Sequence, residues 1–188
     1  GRRKNVMRKS SGFTLIELLV VVSIISLLAS VVVAGLTDAR GGAKNAKRNE
    51  LARQYVTGLG LYHGEYGSYP EMQGDNPVCL GKGYPSFRCN FWGINASHNE
   101  ADSVNEQISE FVPGTPPSLD VTTVNTIENG TVSFWGLAYK CTDENCLNYE
   151  LSWVVEGSGS DAECFGGAER TPMTNDNSLA ICTYSTEI

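Results

Sequence analysis

Three groups of side chains in this 188-residue sequence have types and spacings suited to chemistry. The first is Glu17, the single charge within an apolar run of 24 residues from Phe13 to Leu36. A carboxylate inside a bilayer segment costs about 2.5–3.5 kcal/mol on insertion scales, so it calls for a partner and marks a site. The second group is six cysteines, Cys79, Cys89, Cys141, Cys146, Cys164 and Cys182, all downstream of the run. The third is a scatter of carboxylates in turn-rich sequence, Asp143, Glu144, Asp161 and Asp176, whose oxygens suit a hard cation such as Ca²⁺.

An even number of cysteines after a membrane or export segment reads as disulfides formed in an oxidising compartment. A zinc site would need a second close pair or nearby histidines. Cys141 and Cys146 are separated by four residues, and the two histidines, His63 and His98, lie far from them in sequence. Six cysteines allow fifteen pairings, and the sequence does not select one. Nearest-neighbour pairing, Cys79–Cys89, Cys141–Cys146 and Cys164–Cys182, is the working expectation. The sequence holds no nucleophile elbow, phosphate loop or metalloprotease motif. No enzyme and no cofactor are expected, and the acidic turns read as solvated because no EF-hand pattern surrounds them.

The elements that would position these residues emerge from periodicity. Twenty-four helical residues extend about 36 Å, enough to cross a hydrocarbon core of about 30 Å with some tilt. Ahead of them stand Arg2, Arg3, Lys4, Arg8 and Lys9 with no acidic residue. Positive charge before an apolar segment keeps the N-terminus cytoplasmic and exports the downstream chain. Without those five, nine basic residues face 21 acidic ones, so the net charge is −12. A head that acidic is a poor partner for nucleic acid, whose phosphates reward positive charge.

Residues 37–66 read as an amphipathic helix continuing the stem, basic early on, with Leu51, Tyr55, Leu59, Tyr62 and Tyr66 on one face. Gly64, Gly67 and Pro70 end it. Residues 67–188 read as a head. Cys79 and Cys89 bracket a loop. A short helix is expected from about Glu100 to Val112 with Ser97 and Glu100 as a capping box, stopped by Pro113-Gly114 and succeeded by a Pro116-Pro117 turn. Strands are expected over Thr131–Tyr139, over 147–156 with Leu147, Tyr149, Leu151, Trp153 and Val155 on the buried face, and around Leu179, Ile181 and Thr183.

Gly12-Phe13-Thr14-Leu15-Ile16-Glu17-Leu18-Leu19-Val20 resembles the prepilin signature of the type IV pilin superfamily, which includes type II secretion pseudopilins and competence filaments. The Gly-x-Tyr-Pro sequence at Gly67–Pro70 extends the similarity to about residue 70. The resemblance implies a pilin fold, α+β, in which a long N-terminal helix packs its C-terminal half against a small antiparallel sheet. It implies a leader, residues 1–12, cut by a membrane prepilin peptidase between Gly12 and Phe13, with N-methylation of Phe13. Met7–Gly12 would suffice as that leader, leaving residues 1–6 as an upstream extension or tag remnant. Residues 13–36 would then serve first as a single-pass anchor in the inner membrane, bathed in lipid. Afterwards they would form the core of a periplasmic or cell-surface filament built from copies of the chain and related pilins on an inner-membrane platform.

The resemblance also assigns Glu17 to pairing with a neighbour's N-terminal amine during assembly; the competing expectation is a hydrated, purely local arrangement. Some relatives hold calcium in a C-terminal loop, which is what brings Asp143, Glu144, Asp161 and Asp176 forward. Many relatives bend the stem at a proline. This chain has none between Phe13 and Tyr69, so Gly35 or Gly41-Gly42 would supply any bend. The alternative reading is a monomeric tethered or secreted binding domain, with an ordinary signal cut near Ala29, Ala34 and Gly35.

Overall fold

The computed structural model describes residues 12–84, 88–90, 97–99, 102–112, 122–126, 130–134, 136–157, 162–173 and 179–187. The chain divides between Arg40 and Gly41 into two units. One helix, α1 (Leu15–Tyr66), contributes to both and runs through Gly41-Gly42 without a break in its helical backbone.

In the first unit, α1 is apolar on every side over Leu15–Val33 apart from Glu17 in its first turn. Leu15, Ile16, Leu19, Leu27, Val31 and their neighbours are exposed. The stretch Leu15–Val33 has a mean hydropathy of 2.8, long and apolar enough to cross a membrane. Its three serines hide their hydroxyls by donating to carbonyls of the preceding turn: Ser23 to Val20, Ser26 to Val22 and Ser30 to Leu27, at 2.7–2.8 Å. A hydroxyl already bonded inside the helix adds little polarity to its surface.

In the second unit, the same helix buries one face. Asn45, Arg48, Ala52, Tyr55 and Leu59 are buried at steps of three and four residues, with Leu51, Val56 and Tyr62 partly buried alongside. Tyr66, expected on that face, is instead 59% exposed. Its ring sits against Tyr62 and Phe111, because the helix stops there. Gly67 takes φ = 77° and its N–H donates to the His63 carbonyl at 2.8 Å, a left-handed helix stop that a residue with a Cβ would strain.

The sheet has the order β1-β6-β7-β9-β8, all antiparallel: β1 (Val78–Leu80), β6 (Leu137–Cys141), β7 (Tyr149–Glu156), β8 (Glu169–Pro172) and β9 (Leu179–Ser185). On central β7, Tyr149, Leu151, Trp153 and Val155 join the α1 residues in the main core. Val154 packs on the opposite face with Ala138, Leu179 and Ile181. The expected alternation therefore holds, but both faces of β7 are buried. Leu147 precedes the strand and is half exposed. The architecture is α+β and consistent with a pilin fold.

Two further pairs lie outside this sheet, β2 (Arg88–Asn90) with β3 (Ser97–Asn99), and β4 (Thr122–Thr126) with β5 (Gly130–Phe134). They correct two expectations. Thr131–Tyr139 is not one strand: Gly136, at φ = 71°, separates β5 from β6. Ser97 does not cap a helix, because it is paired in β3, opposite Asn90. The short helix α2 begins later, spanning Asp102–Gln107, and Glu100 and Pro113–Pro117 lie outside the described residues.

Three disulfides staple the second unit: Cys79 on β1 to Cys89 on β2, Cys141 at the end of β6 to Cys146, and Cys164 to Cys182 on β9. Loops this short each stabilise the fold by about 2–3 kcal/mol in the chain-entropy picture. Tyr55, Tyr139 and Tyr149 are buried, and burial pushes their phenols up from 10.0. Tyr139 donates to the Pro70 carbonyl at 2.8 Å.

The approach of the α2 segment to α1 depends on a missing side chain. A Cβ on Gly58 would overlap Val112 and press on the Phe111 carbonyl, whereas one on Gly60 would meet nothing within 4 Å. Gly58→Ala is therefore expected to destabilise the full chain by about 1–3 kcal/mol through overpacking. Gly60→Ala should stabilise it by about 0.5–1 kcal/mol through helix propensity. Denaturant unfolding in detergent micelles checks both; equal effects from the two substitutions would contradict this packing.

Candidate processing and assembly site

Gly12, Phe13 and Thr14 precede the first turn of α1 in non-helical backbone, and all three are exposed. Phe13 is 81% exposed. The Gly12–Phe13 peptide bond thus lies ahead of the helical hydrogen bonding, with both of its residues exposed.

Thr14 caps the helix. Its Oγ1 accepts the Glu17 N–H at 3.3 Å, while the Glu17 Oε2 accepts the Thr14 N–H at 2.9 Å and the Thr14 hydroxyl at 2.7 Å. This reciprocal arrangement is a capping box, T-x-x-E, which satisfies two of the donors orphaned at a helix start. It also sets the carboxylate against the positive end of the helix dipole. Glu17, singled out in the sequence as the charge that must find a partner, has one three residues away. Thr14 was missed by the sequence reading, although its signature, Thr-Leu-Ile-Glu, is plain in the sequence.

These distances define what the site can do. The Glu17 carboxylate is held one residue short of the Phe13 nitrogen. Hydrolysis of the Gly12–Phe13 bond would turn that nitrogen into a cationic amine beside the carboxylate. Residues 7–33 match a family model described as the prokaryotic N-terminal methylation motif. The chain carries a prepilin-type processing signature. It is the signature of type IV pilin and pseudopilin precursors, and here it is confined to the N-terminal stretch. No curated protein and no solved structure matches the chain.

The remaining candidate residues do not gather at this site. The six cysteines are consumed in disulfides, and none is free. Among the described residues, no three of His, Cys, Asp and Glu assemble as a metal-binding group. Asp161 and Asp176 lie outside the described residues. Glu144 is exposed. Asp143 is engaged: its two carboxylate oxygens accept the N–H groups of Asn145, Leu147 and Asn148 at 2.7–3.0 Å. It organises the loop closed by Cys141–Cys146, whose Cys146 carbonyl receives the Tyr69 N–H at 2.7 Å just past the end of α1. His63 lies against the Tyr69 ring.

The Leu147 amide, opposed by partial desolvation and aided by the Asn145 and Asn148 amides, holds the Asp143 carboxyl below its ordinary 3.8. A depressed folded value means that the contribution is fully present above that ordinary value. It is lost as pH falls through the lower folded value. Hydrogen exchange at Leu147 and Asn148 should therefore accelerate as pH drops below about 4, beyond the intrinsic pH dependence of exchange. Asp143→Ala should show fast exchange there at every pH. Protection that is unchanged in Asp143→Ala would refute the loop-organising role.

Proposed function

We propose that this chain is a structural subunit of a type IV pilus or type II secretion pseudopilus, processed at Gly12/Phe13 and polymerised through α1. Processing by a prepilin peptidase and N-methylation of Phe13 would free the stem from its basic leader. The stem would first stand in the inner membrane as a single span with the head outside the cytoplasm. It would then leave lipid for the packed centre of a filament, bringing other copies and related pilins against its apolar sides. The observation that carries this reading is the one carboxylate in an otherwise uninterrupted apolar helix, four residues beyond an exposed bond in a methylation motif.

In the precursor, the capping box holds Glu17 locally. Processing adds a cation at Phe13 that was an amide before, which gives the carboxylate a stronger partner. Within an apolar bundle, two opposite charges are costly apart and favourable together. Pairing between the Glu17 of one subunit and the amine of another would then fix the register of stacked helices.

Glu17→Ala in the full chain, expressed with its assembly machinery, should still be inserted and cut. Its filament yield in sheared fractions should fall at least about tenfold, as expected when one partner of a charge pair in apolar surroundings is removed. Normal filament yield from the mutant would overturn the role of Glu17, leaving the cleavage unaffected.

A further inference from the structure

Charge is segregated along this chain more sharply than its net value shows. Residues 37–53 hold five basic residues (Arg40, Lys44, Lys47, Arg48, Arg53) against two acidic ones (Asp38, Glu50). Residues 54–188 hold four basic residues against 18 acidic ones. Within the second unit, two of the basic residues are spoken for. Arg48 is buried and pairs with Glu156 at 2.9 Å. Arg53 pairs with Glu50 at 3.7 Å and stands 5.3 Å above the Phe165 ring. Lys44 and Lys47 remain, three residues apart and hence on one side of the helix, with Lys47 exposed. Among the described residues, neither has a carboxylate within ion-pair distance.

A matching negative face exists in the same unit. The segment Asp102–Val112 buries Val104, Asn105, Ile108 and Val112, and Asn105 locks it to β1 by exchanging two hydrogen bonds with the Gly81 backbone at 2.9 and 3.0 Å. Asp102, Glu106 and Glu110 are left exposed. Asp102 meets Lys82 at 3.7 Å. Among the described residues, Glu106 and Glu110 have no cationic partner.

The two faces cannot meet within one copy. This segment touches α1 at Gly58, through Val112, and at Tyr62, whose hydroxyl donates to Gln107 at 3.0 Å. Those positions are eleven and fifteen residues beyond Lys47, about 16 and 22 Å along the helix. That exceeds the screening length of about 8 Å at physiological salt, so the pairing brings nothing in cis.

We propose that Lys44 and Lys47 form a docking face for the acidic Glu106–Glu110 edge of a second copy of this chain, displaced along the stem by about 16–22 Å. The contact rests on the assembly reading given above and adds to it a specific surface on the head. Apolar stems can slide past one another at little cost, whereas opposed charges at one offset favour that offset and penalise others.

The test places a photocrosslinking benzoylphenylalanine at Ala43, an exposed position beside the lysines, in the full chain expressed with its assembly machinery. Irradiation should yield a copy-to-copy adduct mapping to residues 102–112. Lys44→Glu with Lys47→Glu, or Glu106→Lys with Glu110→Lys, should each cut that adduct at least about tenfold by opposing like charges. All four substitutions together should restore it. The same adduct found in membranes without filaments would uphold the contact while overturning the filament reading. An adduct to phospholipid alone, an adduct mapping elsewhere, or no loss on charge reversal would overturn the contact.

Discussion

A helix that is apolar on every side over Leu15–Val33 has to be covered, and this requirement governs everything else in the chain. Burial of apolar surface is worth roughly 25 cal/mol per Å², so a run this long strongly favours lipid or neighbouring helices over water. Neither medium tolerates an unpaired charge or an unbonded hydroxyl. The stretch complies almost throughout. Its serines donate to their own helix, and its carboxylate is folded back onto the first turn by Thr14. The capping box gives the Glu17 carboxylate its hydrogen-bond partners within the start of its own helix.

Beyond Gly41, the constraint changes from covering all sides to anchoring one. The polar set Asn45, Arg48 and Asn49 ties α1 to the end of β7. Asn45 exchanges hydrogen bonds with the backbone of Glu156, Arg48 pairs with its carboxylate, and Asn49 accepts from the Trp153 indole. Below these, Ala52, Tyr55 and Leu59 fill the core. Arg48 is buried while Glu156 is partly exposed, so removing the carboxylate would leave a buried charge without this partner, a cost that favours the seating of the helix seen here. The disulfides act alongside it. Two of them hold segments outside the regular sheet, the β2 hairpin and the Asp143 loop.

Much of this was legible in the sequence because it rests on period and on exceptions to period. The 24-residue apolar run, the i, i+3/i+4 face at Tyr55 and Leu59, and the period of two in β7 each declare an element. The lone Glu17 declares a site. Other features depend on remote partners. Arg48 lies in the part of the helix that is basic early on, and its partner Glu156 is 108 residues away, beyond the reach of any local pattern. Gly58 looks like an ordinary weak point in a helix, yet it is where Val112 needs room. β1, β2 and β3 are three residues each, too short for alternation to show, and the β2–β3 pairing removed Ser97 from its expected cap. The pairing of Thr14 with Glu17 was within reach of sequence rules, since T-x-x-E before an apolar run is itself a helix-start signature.

The proposed function stands on the Gly12–Phe13 bond being a processing junction, with the apolar helix kept in the mature protein. Mass spectrometry of the N-terminal peptide, from protein matured in a host with a prepilin peptidase, tests both points directly. The expected product is a chain that begins with N-methylated Phe13 and retains Glu17. A mature chain that begins near Ala34, or one that keeps Gly12 uncut, would contradict that function.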